Sequence, residues 1–461
     1  MPSVSKTRDM TSGSPLRHIL LFMLPILLGS VFQRFYNVAD AIVVGNALGS
    51  AELAAIGATG PATFFLLSIA MGLTHAFSIV TAQYFGANNE KMVRTTLVSG
   101  IYITAFCSLL FTITGLLAAR PLLILLKTPA EILESSALYL RICIAGTLFQ
   151  LVYNGAASAL RAVGDSKTPL YFLLFACILN VTLDLIFALW LGWGLAGIAC
   201  ATVFSQFFAA LLSVLYIFTR YPIFRLSRAD LAPDLPNLAH VVKIGLPLGL
   251  QSLLVSVADM AIMSVVNSFG TNVLAAYTAY KRIQEFAMLS YNAIAQATSV
   301  FAGQNLGAGQ PARIREGFKK IALVNIAIAL LIVLGIFLSG DLLLRVFISP
   351  NDPQIDQIAA AAMEMLRIYA SFYPVLCMIL LYNNVLRGMG EVSIPLFSSL
   401  LELAVKICLS FGLAAVYGAT GLWFAAPLSW VVAMIPSLWL YHSGRWQRRT
   451  AAFAEGGSVK A

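Results

Sequence analysis

Mostly apolar stretches of helix length recur about twelve times along this chain: 19–45, 53–82, 95–119, 134–160, 169–191, 195–218, 240–268, 272–303, 319–342, 358–386, 394–416 and 420–442. A bilayer core of about 30 Å needs about 20 helical residues to cross it, so each stretch is long enough. They are continuously apolar rather than alternating at every second residue, which selects helices over a β-barrel. With 59% hydrophobic and only 11% charged residues, the chain departs from soluble domains, in which about 25% are charged. A mean hydropathy of +0.86 agrees. The expected fold is an all-α integral membrane protein of twelve transmembrane helices. Residues 1–18 are polar and charged, and no cleavable signal peptide is read there.

The chain also repeats itself. Leu160-Arg-Ala-Val-Gly-Asp-Ser-Lys-Thr-Pro169 returns about half a chain later as Leu386-Arg-Gly-Met-Gly-Glu-Val-Ser-Ile-Pro395. Ala82-Gln-Tyr-Phe-Gly-Ala-Asn-Asn89 pairs with Gly303-Gln-Asn-Leu-Gly-Ala-Gly-Gln310, and Leu140-Arg141-Ile142 with Leu366-Arg367-Ile368. A duplicated membrane chain points to a transporter whose substrate path lies between similar halves. Residues 219–239, rich in Pro, Arg and Asp, interrupt the apolar pattern and read as the linker. This gives a tail over 1–18, an N-lobe over 19–218, a C-lobe over 240–442 and a second tail over 443–461. Six is even, so the second bundle enters the membrane in the same direction as the first, giving two pseudo-symmetric six-helix bundles with a cavity between them. In the repeated motifs Arg161 and Arg387 close a helix, glycine makes the turn and proline opens the next helix, a structural hinge.

The net charge of +9 is a matter of topology. With the N-terminus in the cytoplasm, Lys6, Arg8, Arg17, Lys91, Arg94, Arg161, Lys167, Arg220, Arg225, Arg228, Arg313, Arg315, Lys319, Lys320, Arg387, Arg445, Arg448, Arg449 and Lys460 fall inside, and Arg120, Lys127 and Arg345 outside. Nineteen against three puts both termini in the cytoplasm by the positive-inside rule, and no nucleic-acid partner is expected. Cys107, Cys143, Cys177, Cys200, Cys377 and Cys408 lie within the apolar runs without a C-x-x-C pair and read as packing residues.

Charge at membrane depth is costly and needs a reason. The first segment places Gln33, Tyr36, Asn37 and Asp40 on one helical face by their three- and four-residue spacing. The fifth places Asn180 and Asp184 one turn apart, and the sixth contributes Thr202. Two buried acids without a fixed cation tend to hold a proton, and the same oxygens suit Na⁺, a hard cation. As structural glue between helices, two such acids would be expensive. In the second half, the charges Asp259, Lys281, Arg282, Glu285, Glu402 and Lys406 are read as structure or as a static polar lining, and Gln251, Asp259, Lys281, Arg282 and Glu285 are candidates to line the substrate cavity. Lys281 is expected to pair with Glu285 and Lys406 with Glu402, each four residues apart. Aromatic, amide and Met side chains (Tyr36, Phe64, Phe65, Tyr153, Asn154, Phe286, Met288, Tyr291, Tyr373) offer an adaptable lining for flat organic cations, or ordinary packing.

Taken in order, Tyr36-Asn-Val-Ala-Asp40-Ala-Ile-Val-Val-Gly45, Ala54-Ala-Ile-Gly57, Ala82-Gln-Tyr-Phe-Gly-Ala87 and Leu160-Arg-Ala-Val-Gly-Asp165, with their second-half counterparts, resemble the multidrug and toxic compound extrusion (MATE) transporters. The details look most like the bacterial branch of staphylococcal-type multidrug pumps. The match covers roughly residues 15–445. It implies two six-helix lobes and antiport of organic cations against Na⁺ or H⁺ by alternating access. The family's N-lobe cation site maps onto Asp40, Asn180, Asp184 and Thr202. Some branches also carry an acid just after the proline of the seventh helix and another in the tenth. Here Pro247 is followed by Gln251 and Asp259, and the tenth segment holds only Glu364 near its end, a departure from that pattern. The resemblance further implies the bacterial cytoplasmic membrane, a monomer, and no cofactor beyond the coupling ion. A flippase for lipid-linked precursors is the alternative within transport, but it calls for two more helices and a strongly basic cavity. An intramembrane enzyme would need a catalytic cluster, and His18, His75, His240 and His442 form none in the sequence.

Overall fold

A computed structural model describes residues 9–347 and 354–447 of the chain. The expected tails therefore lie outside the described residues over 1–8 and 448–461, together with Lys6, Arg8, Arg448, Arg449 and Lys460. Among the described residues the protein is helical and contains no strand. Helices α1 (Pro15–Ala47), α2 (Ser50–Gly86), α3 (Glu90–Leu125), α4 (Ala130–Ala145), α5 (Thr147–Ala162), α6 (Lys167–Asp184) and α7 (Gly194–Arg220) build the first half. The second half comprises α8 (Leu235–Ser268), α9 (Thr271–Gly307), α10 (Pro311–Arg345), α11 (Ile355–Ser371), α12 (Tyr373–Gly388) and α13 (Ser393–Ser443).

Eight of these helices are long and apolar enough to cross a membrane, and two bent pairs raise the number to ten. The pairs are α4 with α5, bent by 47°, and α11 with α12, bent by 49°. At the second bend Pro374 opens α12 and cannot donate a hydrogen bond into the preceding turn. Helix α13 breaks at Gly418, where φ is 64° and ψ is −146°, giving two arms. Helix α9 has the length of a crossing, 37 residues, while carrying Lys281, Arg282 and Glu285. With α9 and the two arms of α13 counted, the described residues hold twelve helical segments of crossing length, six per half.

The sequence repeat is also a repeat of backbone chemistry. After α2, the amide of Asn89 donates to Tyr84 O over 3.0 Å, and after α9 that of Gln310 donates to Asn305 O over 2.9 Å. After α5, Asp165 N reaches Leu160 O over 2.9 Å, and after α12, Glu391 N reaches Leu386 O over the same distance. These are helix-ending turns of the kind that glycine permits; Gly164 and Gly390 sit at φ 87° and 78°.

One compact unit is Leu24–Gly249, and the other joins Met10–Met23 to the chain from Leu250 onward. The expected linker, 219–239, contains the break between α7 and α8, yet the two units part company inside α1 and inside α8. Side chains explain why. In the second unit, Met10 N donates to Gln304 Oε1 over 3.0 Å. The Arg313 guanidinium there donates to the carbonyls of Met10, Ser12 and Gly13 at 3.0, 2.6 and 2.7 Å. In the first unit, Asn237 at the start of α8 donates to Thr96 and Ser99 of α3 at 3.2 and 3.1 Å. The linker between is short and ordered: Asp230 Oδ2 accepts from the Ser227 amide and hydroxyl at 2.8 and 2.7 Å.

The core of the second unit is aromatic. Tyr280 and Tyr369 lie 4.5 Å apart by ring centroid, and Trp430 meets Tyr369 edge-on. Such pairs contribute beyond their buried area.

Candidate cation-coupling site

Three helices of the first unit bring the predicted polar residues together. Helix α1 carries Tyr36 and Asp40 one turn apart, and α6 carries Asn180 and Asp184 one turn apart, so each pair shares a helix face. Asp184 is the last α-helical residue of α6, and a π-helical turn, Leu185–Trp190, follows at once. Turns of this kind concentrate at functional sites because the wider ring re-aims side chains and frees backbone groups. Helix α7 supplies Thr202.

Asp184 is fully buried and Asn180 is 1% exposed, while Asp40, Tyr36 and Thr202 are half-buried. The Asp40 and Asp184 carboxyl groups face each other. Tyr36 sits against both Asp40 and the Thr202 hydroxyl. Asn180 Nδ2 donates to Thr202 Oγ1 over 3.4 Å, and Thr202 Oγ1 in turn donates to Ile198 O over 3.1 Å. Four oxygens are buried with no hydrogen-bond partner: Asp40 Oδ1, Asn180 Oδ1 and both oxygens of Asp184. Among the described residues no lysine or arginine forms an ion pair with either acid.

An arrangement with more buried acceptors than donors invites a positive charge. A proton on one carboxyl makes it a donor to its neighbour. A hard monovalent cation finds two carboxylates, an amide carbonyl and a hydroxyl, the oxygen donors it prefers. Among the described residues no group of three or more His, Cys, Asp and Glu side chains gathers, so the donor set is not that of a transition-metal centre. The surroundings include Cys143 and Cys177, which the sequence reading took as packing, and Tyr139, which it did not single out. Tyr139 and Cys143, one turn apart on α4, approach each other and Asp40, and Cys177 also lies in the field of Asp40. Inside an apolar run, a tyrosine and a thiol carry no mark of this; only their four-residue spacing hinted at a shared face.

The other candidate lining residues fall apart into several roles. Gln33 and Asn37 are exposed on α1 and Asn154 is half-buried. The Tyr153 hydroxyl donates to Pro169 O over 3.0 Å, a tie between α5 and α6. Gln251 is 6% exposed and committed to α13 and α12: its Nε2 donates to Pro395 O over 3.1 Å and to Ser399 Oγ, while Arg387 donates to its Oε1. Tyr373 is fully buried, edge-on to Tyr291 at 6.2 Å, and Met288 packs on the same core. Arg282 is exposed. Lys406 pairs with Glu402 at 3.0 Å, as the spacing suggested. Lys281 does not take Glu285. It pairs with Asp259 of α8 at 3.1 Å, because a neighbouring helix offers a carboxylate at the same depth.

Twelve membrane crossings, a duplicated architecture and a paired-acid cluster inside one bundle define a multi-pass membrane transporter. The chain belongs to the MatE family, whose model matches residues 25–186 and 247–412, a family of multidrug efflux transporters rather than of enzymes. It is 31% identical over 447 residues to the probable multidrug resistance protein YpnP of Bacillus subtilis (strain 168), covering 96% of this chain and 98% of that relative. The multidrug export protein MepA of Staphylococcus saprophyticus is 22% identical over 414 residues, with 89% and 90% covered. The fold is also that of a crystal structure of MATE in the bent conformation, with a TM-score of 0.88 at 24% identity over 98% of this chain and 99% of that one.

Proposed function

We propose that this protein is a secondary antiporter of the bacterial cytoplasmic membrane that exports cationic, amphipathic drugs or toxic metabolites in exchange for H⁺ or Na⁺. It works as a monomer with both termini in the cytoplasm. The observation that carries this reading is the facing pair Asp40 and Asp184, three of whose oxygens are buried without a hydrogen-bond partner and neither of which meets a lysine or arginine among the described residues. A pair like that is held apart by its own charge when empty and drawn together when a cation or proton arrives.

In the outward-facing state the coupling ion enters between α1, α6 and α7. Neutralising the two carboxylates draws these helices together where α6 meets its π-helical turn, and this weakens the hold on the exported compound. Return to the inward-facing state releases the ion into the cytoplasm. Reciprocal linkage requires ion and substrate to disfavour each other, whether or not they touch.

Dye efflux from everted vesicles tests this reading, with the proton and sodium gradients collapsed separately. Export that stops when one of the two is collapsed is the expected result; export indifferent to both would overturn it.

A further inference from the structure

The ion pair between Asp259 and Lys281 joins α8 to α9 within the second unit. Asp259 is nine residues before the end of α8 at Ser268, and Lys281 is ten residues after the start of α9 at Thr271. At about 1.5 Å per residue these lie about 14 and 15 Å along their helices from the turn that joins α8 to α9, well inside two helices of 34 and 37 residues. Yet the Lys281 side chain is 30% exposed and that of Asp259 45%. Charged groups at that depth face water or protein and not acyl chains, so this pair lines an aqueous space.

The rest of the surroundings are those of a cation receptor. The Lys281 ammonium stands 5.8 Å from the centre of the Tyr277 ring, within the range of a cation–π contact. Tyr280 and Tyr369 lie in the field of the Asp259 carboxylate. A carboxylate beside an aromatic ring is chemistry that selects an organic cation, and here the protein's own ammonium meets both. By contrast Lys406, which pairs with Glu402 along one helix, is only 6% exposed and is packed away.

We propose that Lys281 is a tethered stand-in for the exported compound: an organic cation binds by displacing the Lys281 ammonium from between Asp259 and the Tyr277 ring. This rests on the reading of the chain as an exporter of organic cations. The displaced ammonium stays charged and swings along α9 toward Glu285, four residues on and on the same face. The lysine thereby limits affinity and refills the site as the substrate leaves, which favours release. A site blocked part of the time binds more weakly in proportion to the fraction that is open. With the ammonium seated about nine-tenths of the time, removing it tightens binding about tenfold.

The test is equilibrium binding of tetraphenylphosphonium, a permanent cation, to the purified full chain in phospholipid nanodiscs, with triphenylphosphine oxide as a neutral comparison. Lys281→Met is expected to tighten the phosphonium about tenfold and leave the phosphine oxide unchanged, while Asp259→Asn weakens the phosphonium. Lys281→Gln, which keeps a polar side chain, is expected to shift in the same direction and serves if the methionine variant does not fold. The proposal is overturned if neither lysine variant binds more tightly. It is equally overturned if the single variants both weaken binding and Asp259→Asn/Lys281→Met restores it, the behaviour of a purely structural pair. Binding is read without a gradient, so export indifferent to ion gradients would sink the antiport reading and leave this result standing.

Discussion

Asn180 donates its amide nitrogen to the Thr202 hydroxyl across 3.4 Å, and its carbonyl oxygen remains buried with no donor. The amide thus spends its donor on α7 and keeps its acceptor for something else. An unsatisfied buried acceptor costs about 1–3 kcal/mol, and Asp184, one turn further along α6, adds two more such oxygens. A site that concentrates unmet acceptors gains that energy back only when a cation or a proton is present.

Asp40→Asn and Asp184→Asn should each reduce gradient-driven dye efflux to background while the protein still inserts. Asparagine keeps the shape but removes the charge that the proposed coupling ion would neutralise. Because each acid lacks a basic partner, taking away its charge relieves a desolvation penalty, and the melting temperature should hold or rise. Loss of transport without loss of stability is the signature to look for in paired vesicle and thermal-shift measurements. Undiminished export by both variants refutes the site.

Thr202→Val and Asn180→Leu should raise the ion concentration needed for half-maximal export about tenfold to a hundredfold. Each removes a neutral oxygen, and a hydrogen bond or dipole contact to a charged group contributes about 1.5–3 kcal/mol, where about 1.4 kcal/mol is a factor of ten. The apparent affinity for the dye measured at saturating ion should change little. Titrating the ion at fixed dye, and the dye at fixed ion, separates the two.

How much of this was legible beforehand depends on whether one helix or several decide it. Asp40 and Asp184 stand out in apolar runs, and their four-residue partners Tyr36 and Asn180 follow from helix periodicity. That α1 and α6 bring the two acids face to face is a tertiary fact, which the sequence supplied only through family resemblance. The same limit explains Lys281: periodicity offers Glu285, but packing of α8 on α9 offers Asp259. Arg313 was readable as a cation on the basic side, whereas its hold on the backbone of Met10 to Gly13 leaves no mark, since carbonyl acceptors carry no side-chain signal. The break in α13 was visible, because Gly418 falls between two apolar runs.

Helices α2 and α8 cross where three glycines meet, and substitution there should be costly. A Cβ on Gly72 would lie 2.5 Å from Gly249 Cα and 2.7 Å from Gly245 O, both backbone atoms of α8 that cannot swing aside. Small residues four apart let membrane helices approach this closely. Gly72→Val should cost about 1–3 kcal/mol, the range for overpacking, and lower the melting temperature in detergent. Gly57→Ala, on the same helix with nothing within 4 Å of the added atom, should be neutral or slightly stabilising because alanine is the better helix former.

The turn between α5 and α6 gives a pH prediction. Asp165 Oδ1 accepts the amides of Lys167 and Thr168 at 3.0 Å each, capping α6, and its Oδ2 accepts the hydroxyls of Thr168 and Tyr221 at 2.5 Å. Burial, and then the neighbouring Asp165 carboxylate, push the Tyr221 hydroxyl above its ordinary value of 10.0. The folded protein therefore holds this proton more tightly than the unfolded chain. The stabilisation is complete below about pH 10 and is lost progressively above it, as the unfolded chain gives up the proton first. Melting temperatures followed from pH 8 to 11 should fall at the alkaline end in the wild type, and Tyr221→Phe should lessen that fall while costing about 1 kcal/mol at neutral pH for the lost hydrogen bond. Asp165→Ala should cost more, about 0.5–2 kcal/mol for the cap and about 1–3 kcal/mol for the stranded Tyr221 hydroxyl. An unchanged alkaline fall in Tyr221→Phe would show that this tyrosine does not govern the pH response.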